Sequence, residues 1–291
     1  MLAGIVLAGA VLIASGCLSS SAPDRDLPRP TLLNPRWEEG AFTEHLSFFQ
    51  EAFQEDEETL APVSQYLGAA LREARLQPAV EGRYRLRSRF GRPSGYAGYV
   101  GGKHPLAVRG DTSGVPVASQ AVLVCADLAE GETPVEAAAL LEVARLYGRA
   151  SQYTIMPERS VIFALWPRLA AQEDPAAGLR TYIEQPTWRL DRVRAVLYVG
   201  LAPRRRAEVQ ALLDEYGIPL YRVAVPPGEE RAAGSGTTES TETAASRAAR
   251  TLAERTHRRL LAATLTGGKM MPALGDSIRV PRPRRPDAQK P

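Results

Sequence analysis

The sequence predicts an α/β protein, a three-layer α/β/α sandwich on a mainly parallel, mixed sheet. Three observations predict it. Apolar runs within 121–126, 160–166 and 191–201 have the length and composition of strands covered on both faces. Segments with apolar residues at helical spacing stand between and after them. Strand and helix alternate through the middle of the chain, the pattern of parallel pairing through crossover helices.

The first element is an address. Leu2 to Ala14 is an apolar stretch of signal-peptide length, and the small residues Ala14, Ser15 and Gly16 lead directly to Cys17. This resembles a bacterial lipobox, which implies residues 1–17 as a signal ending at a lipidated Cys17, although no Lys or Arg precedes Arg25. Residues 18–40, opening on Leu18, Ser19, Ser20 and Ser21 and then rich in proline and charge, read as a tether and linker. The expected location is the cell envelope, on a membrane through lipid at Cys17 and facing the periplasm or exterior.

A domain over 41–265 follows. Phe42 to Gln77 reads as two helices, the second carrying Leu60, Val63, Leu67, Ala70 and Leu71 at helical spacing. Tyr84 to Phe90 alternates Tyr84, Leu86, Ser88 and Phe90 with Arg85, Arg87 and Arg89, the period of a half-exposed strand. Ala121 to Ala126 reads as the first central strand. Thr133, Pro134 and Glu136 then suggest an N-cap, a first helical proline and a Thr-x-x-Glu capping box. Ser160 to Trp166 and Asp191 to Leu201 read as further buried strands, Arg204 to Tyr216 as a helix ended by Gly217, and Leu220 to Val225 as a strand. Within the domain, 228–246 is polar and of low complexity and reads as a loop; Arg247 to Leu265 closes the outer layer as a helix. Residues 266–291 form a basic, proline-rich tail.

Composition excludes several classes. The net charge of +3 is small, and much of the surplus lies in Arg279, Arg282, Arg284, Arg285 and Lys290 without interleaved aromatics, so nucleic-acid binding is unsupported. No apolar run after Cys17 approaches the ~20 residues that span a bilayer. Two cysteines give no disulfide framework, and Cys125 reads as a small apolar core residue. No glycine-rich phosphate loop, Cys-x-x-Cys pair or nucleophile elbow is present. His45 beside Glu44 reads as a helix-surface pair; Tyr96, Tyr99, Trp166 and Trp188 are candidates for lining a pocket or for packing.

Three stretches, Ala121 to Glu142, Ser160 to Pro167 and Gly178 to Leu201, resemble the peptidase family of the bacterial di-zinc aminopeptidases and animal glutaminyl cyclases. The similarity runs from about Leu60 to Leu265 and implies a zinc-exopeptidase-like fold. It also implies two zinc ions, held by His, Asp and Glu at the C-terminal ends of strands, and a glutamate that takes a proton from metal-bound water. Most of those residues are replaced. Asp127 stands where the family has a histidine ligand, and Glu132 falls near the bridging aspartate in a rewritten turn. Leu169 and Ala170 stand at the adjacent glutamates, the base among them, and Gly200 stands at the aspartate after the third strand. None of His45, His104 and His257 lies in the loop that carries the last histidine ligand.

Asp127 and Glu132 remain as vestigial positions, and they suit a loose Ca²⁺ or Mg²⁺ contact rather than tight zinc. Carboxylates at Asp127, Glu130, Glu132 and Glu136 are also what a helix N-terminus favours. The expectation is a chain without catalytic residues and without a bound cofactor, acting as a binding or structural module with a protein or peptide partner. The competing reading is an active metal-dependent aminopeptidase or related hydrolase whose divergent ligand set includes His104, Asp127 or Glu132.

Overall fold

A computed structural model describes residues 31–52, 60–80, 82–87, 93–102, 117–129, 134–168, 176–224 and 238–265. Among them seven strands form one sheet: β1 (Gln77–Pro78), β2 (Arg85–Arg87), β3 (Pro93–Val100), β4 (Ala121–Ala129), β5 (Ser160–Arg168), β6 (Val193–Val199) and β7 (Leu220–Val223). The order is β1-β3-β5-β4-β6-β7, with β2 also paired to β3. β5, β4, β6 and β7 are parallel to one another, whereas β3 is antiparallel to β5 and to both β1 and β2. The sheet is therefore mixed, with a parallel centre.

Among the described residues six α-helices flank it: α1 (Glu39–Ala52), α2 (Leu60–Glu73), α3 (Val135–Gln152), α4 (Ala177–Glu184), α5 (Arg206–Asp214) and α6 (Thr238–Leu265). Alternation along β4 assigns the layers. Val122, Val124, Ala126 and Leu128 pack with α1, α2, α3 and α6, whereas Ala121, Leu123 and Cys125 pack with α4 and α5. The three-layer α/β/α sandwich is thus realised, and among the described residues no helix is long and apolar enough to cross a membrane.

Two glycines act through position rather than composition. Gly217, at φ +64°, ends the α5 segment, and Ile218 N–H reaches back to the Leu213 carbonyl at 3.1 Å. Gly148 lies within α3 where a Cβ would run into the Ala74 carbonyl oxygen, so its bare backbone lets the end of α2 close on α3.

The structure departs from the sequence reading at four places. β3 falls in PSGYAGYV, a stretch to which the sequence reading assigns no element. It is a strand because close approach needs small residues: a Cβ on Gly95 would meet Trp166 Cε3 at 2.5 Å, and one on Gly98 would meet Leu76 at 2.9 Å. At α3 the cap position is Pro134 with no side-chain cap, and Glu136 is the second helical residue, one short of a capping-box position; Thr133 lies outside the described residues. α6 begins at Thr238, inside the stretch read as a loop, because Ala244 and Ala245 continue upstream of Arg247 the buried stripe that Ala248 and Ala249 carry beyond it. Finally, 31–38, read as linker, lies against the domain: Leu32 is 2% exposed, and Glu38 pairs with Arg145 at 2.8 Å and Arg149 at 2.6 Å. The lipobox, the basic tail, His104, Glu132, Leu169 and Ala170 lie outside the described residues.

Candidate functional site

The topology itself marks one crevice. β4 passes into α3 on one face of the sheet, and its neighbour β6 passes into α5 on the other, so their outgoing connections part at the C-terminal ends. An open α/β sheet places its ligands in such a crevice. The residues there are Asp127 near the end of β4, Tyr198 in β6, Gly200 just after it, Arg205 before α5, and Glu136 in the first turn of α3.

These side chains close the crevice on one another. Tyr198 donates its hydroxyl to Asp127 Oδ1 at 2.8 Å, and Arg205 Nη1 pairs with Asp127 Oδ2. The two charged side chains are only 9% and 14% exposed, so the pair is largely desolvated. Burial and then the Asp127 charge raise the Tyr198 phenol well above its ordinary value, and burial likewise raises the Cys125 thiol. Neither group is activated as a nucleophile. Beside Asp127 in register stands Trp166, wedged between Gly95 and Gly178, where a Cβ on either would meet the indole at 2.5 Å.

Gly200 has φ +74°, and a Cβ there would overlap Glu136 Cγ. The position that resembles a ligand aspartate is therefore occupied by the stem of Glu136. Arg205 supplies positive charge to the carboxylate that a metal would otherwise neutralise. Among the described residues no group of three or more His, Cys, Asp and Glu converges to hold a metal ion. The described donor set does not fit zinc, since both Asp127 oxygens are engaged and Gly200 brings no donor. Restoring the carboxylate as Gly200→Asp is expected to cost about 1–2 kcal/mol for the left-handed backbone alone, with a further loss from the Glu136 collision. Chemical denaturation and metal analysis of the variant check this, with no zinc gained as the expected result.

The remaining candidates scatter. Tyr96 is buried in the layer of α1, α2, α3 and α6. Tyr99 meets Trp188 edge-on at 5.6 Å, and Trp188 Nε1 donates to the Ser119 carbonyl at 2.9 Å. Ser119 precedes β4, so this pair sits at the opposite end of the strand from Asp127, about 20 Å away at the rise of an extended chain. Of the four aromatics only Trp166 borders the crevice.

His45 is not the surface partner of Glu44. It is half-buried between α1 and α2, with Nδ1 hydrogen-bonded to the Tyr66 hydroxyl at 2.6 Å. Burial first, and then the Arg145 charge, lowers its pKa to about 4. His257, within α6, is lowered to about 4 by burial as well. For both, the unfolded chain takes up a proton near pH 6.5 and the folded chain does not. Stability is therefore full above that value and falls as pH drops from about 6.5 to about 4. The expected result is a denaturation midpoint that declines across this window, and less steeply once either histidine is replaced by leucine.

Sequence reasoning missed Tyr198 and Arg205. The available signal was a run of arginines, Arg204, Arg205 and Arg206, directly after a strand that ends at the crevice.

Fold and site together define a three-layer α/β/α protein whose switch-point crevice is closed by a buried ion pair. Its chain is similar to a glutaminyl cyclase from Porphyromonas gingivalis, with 13% identity and a TM-score of 0.45 over 77% of this chain and 98% of that one. A glutaminyl cyclase from an Acidobacteriales bacterium is similar at 11% identity and a TM-score of 0.44, covering 82% and 98% of the two chains. A zinc aminopeptidase from Bacillus subtilis shares 12% identity at a TM-score of 0.37, covering 60% of this chain and 51% of that one. No protein-family profile and no curated protein matches the sequence. At these identities the activity of a neighbour does not transfer, and the chemistry rests on this chain's own side chains.

Proposed function

We propose that this chain is a non-catalytic, peptidase-like module of the cell envelope, carried on a membrane through lipid at Cys17 and serving as a binding or structural protein. The single observation that supports loss of catalysis is the Asp127, Tyr198 and Arg205 cluster, with Glu136 lying over Gly200. A hydrolytic site of the kind the sequence resembles needs an open metal position and a free carboxylate base. Here the carboxylate at the crevice is committed to an arginine and a tyrosine, and the neighbouring ligand position is a glycine backed by another side chain. Lipidation is supported by the Ala14, Ser15, Gly16, Cys17 sequence.

The test is metal analysis and aminopeptidase turnover of the full chain produced with zinc supplied, together with acyl labelling of the parent and Cys17→Ser chains. Zinc far below one per chain, no turnover, and label lost with Cys17 are the expected results. One or two tightly held metals that leave together with turnover on Asp127→Ala would overturn the non-catalytic reading. Label retained in Cys17→Ser would overturn the anchor.

A further inference from the structure

The segment 31–38 is clamped at one end by charge and at the other by apolar contact. At the charged end Glu38 takes hydrogen bonds from Arg145 and Arg149, while Arg145 also donates to the Arg36 carbonyl at 3.1 Å and holds Glu142 at 2.5 Å. At the apolar end Leu32 is buried, while Trp37, between Arg36 and Glu38, stands edge-on to His257 with ring centroids 6.0 Å apart. From the other side Tyr147 of α3 meets the same imidazole at 5.9 Å. His257 is 4% exposed, and neither ring nitrogen makes a well-formed hydrogen bond; the Leu32 backbone of the strap lies near enough to favour the protonated ring, but burial outweighs it. A neutral imidazole in this place leaves polar atoms unsatisfied, and an imidazolium would be a desolvated charge without a counter-ion.

We propose that residues 31–38 form an acid-releasable strap, freed from the α3 and α6 face when His257 takes up a proton.

Among the described residues no carboxylate is placed to receive that charge. From the strap, Glu38 is committed to Arg145 and Arg149, which hold it below its usual value against the cost of partial burial. On α3, Glu142 is bound to Arg145, and Tyr147 is the titratable group facing the ring. From α1, Glu39 accepts the Ser246 hydroxyl and His45 is bonded to Tyr66. On α6 itself Glu254 pairs with Arg250 at 3.3 Å, and Arg258 is exposed. The sheet face on this side is apolar, as at Val124, Phe163 and Leu197.

Release is the cheapest way to hydrate the imidazolium, because among the described residues the strap covers His257 without belonging to a strand or a helix. The ring moves from a pKa of about 4 when covered toward about 6.5 when wet. Acidification from pH 7 to pH 5 then shifts the balance toward the open strap by roughly 20-fold. If the lipid anchor proposed above is present, opening eight residues lengthens the tether by up to about 26 Å.

The experiment is hydrogen exchange of the full chain at pH 7 and pH 5, corrected for intrinsic rates, comparing amides of 31–38 with those of β4. The parent chain is expected to lose roughly 20-fold more protection in the strap than in β4, and His257→Leu to retain it at pH 5. Equal change in strap and β4, or the same selective loss in His257→Leu, overturns the proposal. Should His257→Leu not fold, NMR titration of the parent decides. Strap signals that follow the His257 midpoint support the proposal, and signals that follow His45 or that stay fixed overturn it.

Discussion

Gly148→Ala is expected to lower the stability of the domain by about 3 kcal/mol or more. Alanine is ordinarily the better helix former by up to ~1 kcal/mol, so the sign of the effect is set by packing. The added Cβ would fall on the Ala74 carbonyl oxygen, a backbone atom that no rotamer change removes. Relief requires the C-terminal turn of α2 to move away from α3, which uncovers Leu71 and Ala74 in the shared core. Gly68 is the matched control, since it also lies in a helix, α2, with nothing within 4 Å of an added Cβ. Gly68→Ala should be neutral or mildly stabilising. Guanidinium unfolding of the three chains checks the pair; equal midpoints for the parent and Gly148→Ala would show that α2 is not held against α3 as described.

Asp127→Ala is expected to cost about 3–5 kcal/mol, because it leaves the Arg205 guanidinium buried without its counter-charge. It also removes the acceptor of the hydroxyl of Tyr198, a residue 1% exposed in β6. The double variant Asp127→Leu with Arg205→Met should recover much of the loss, since apolar replacement of a buried pair is often near neutral. A double-mutant cycle by denaturant unfolding measures the coupling directly. A small cost for Asp127→Ala together with no coupling to Arg205 would mean that the crevice is wet and the carboxylate free, which would revive a metal-binding reading. Stability of the closed crevice and the proposed loss of catalysis thus rest on the same ion pair.

Much of this fold was legible because strands covered on both faces leave a local mark. The run Ala121 to Ala126 and the segment Ser160 to Trp166 have no tolerance for charge, and both proved central and parallel. Tyr84 to Phe90 carried a correct alternation, with Leu86 buried and Arg87 exposed, over the residues described. β3 was illegible for the opposite reason. Its glycines serve the bulk of Trp166 and Leu76, side chains distant in sequence, and a glycine chosen for a neighbour's size looks the same as one chosen for a turn. The site was legible by subtraction: Gly200 and Asp127 are departures visible in one dimension, whereas Tyr198 and Arg205 are not.

The sequence by itself determined the alternation of buried strands and helices, the small net charge, and the poverty of ligands where the resemblance calls for them. These are properties of residue type and periodicity, which survive without coordinates. Only the tertiary structure decided what Asp127 meets in the crevice, because Asp127 and Arg205 are 78 residues apart and meet only when β4 and β6 pair. It likewise decided that 31–38 is packed rather than free, since the arginines that clamp Glu38 lie on α3, more than a hundred residues downstream. Local pattern reports which faces of an element are buried, and the identity of the group across that face is fixed only by the path of the chain.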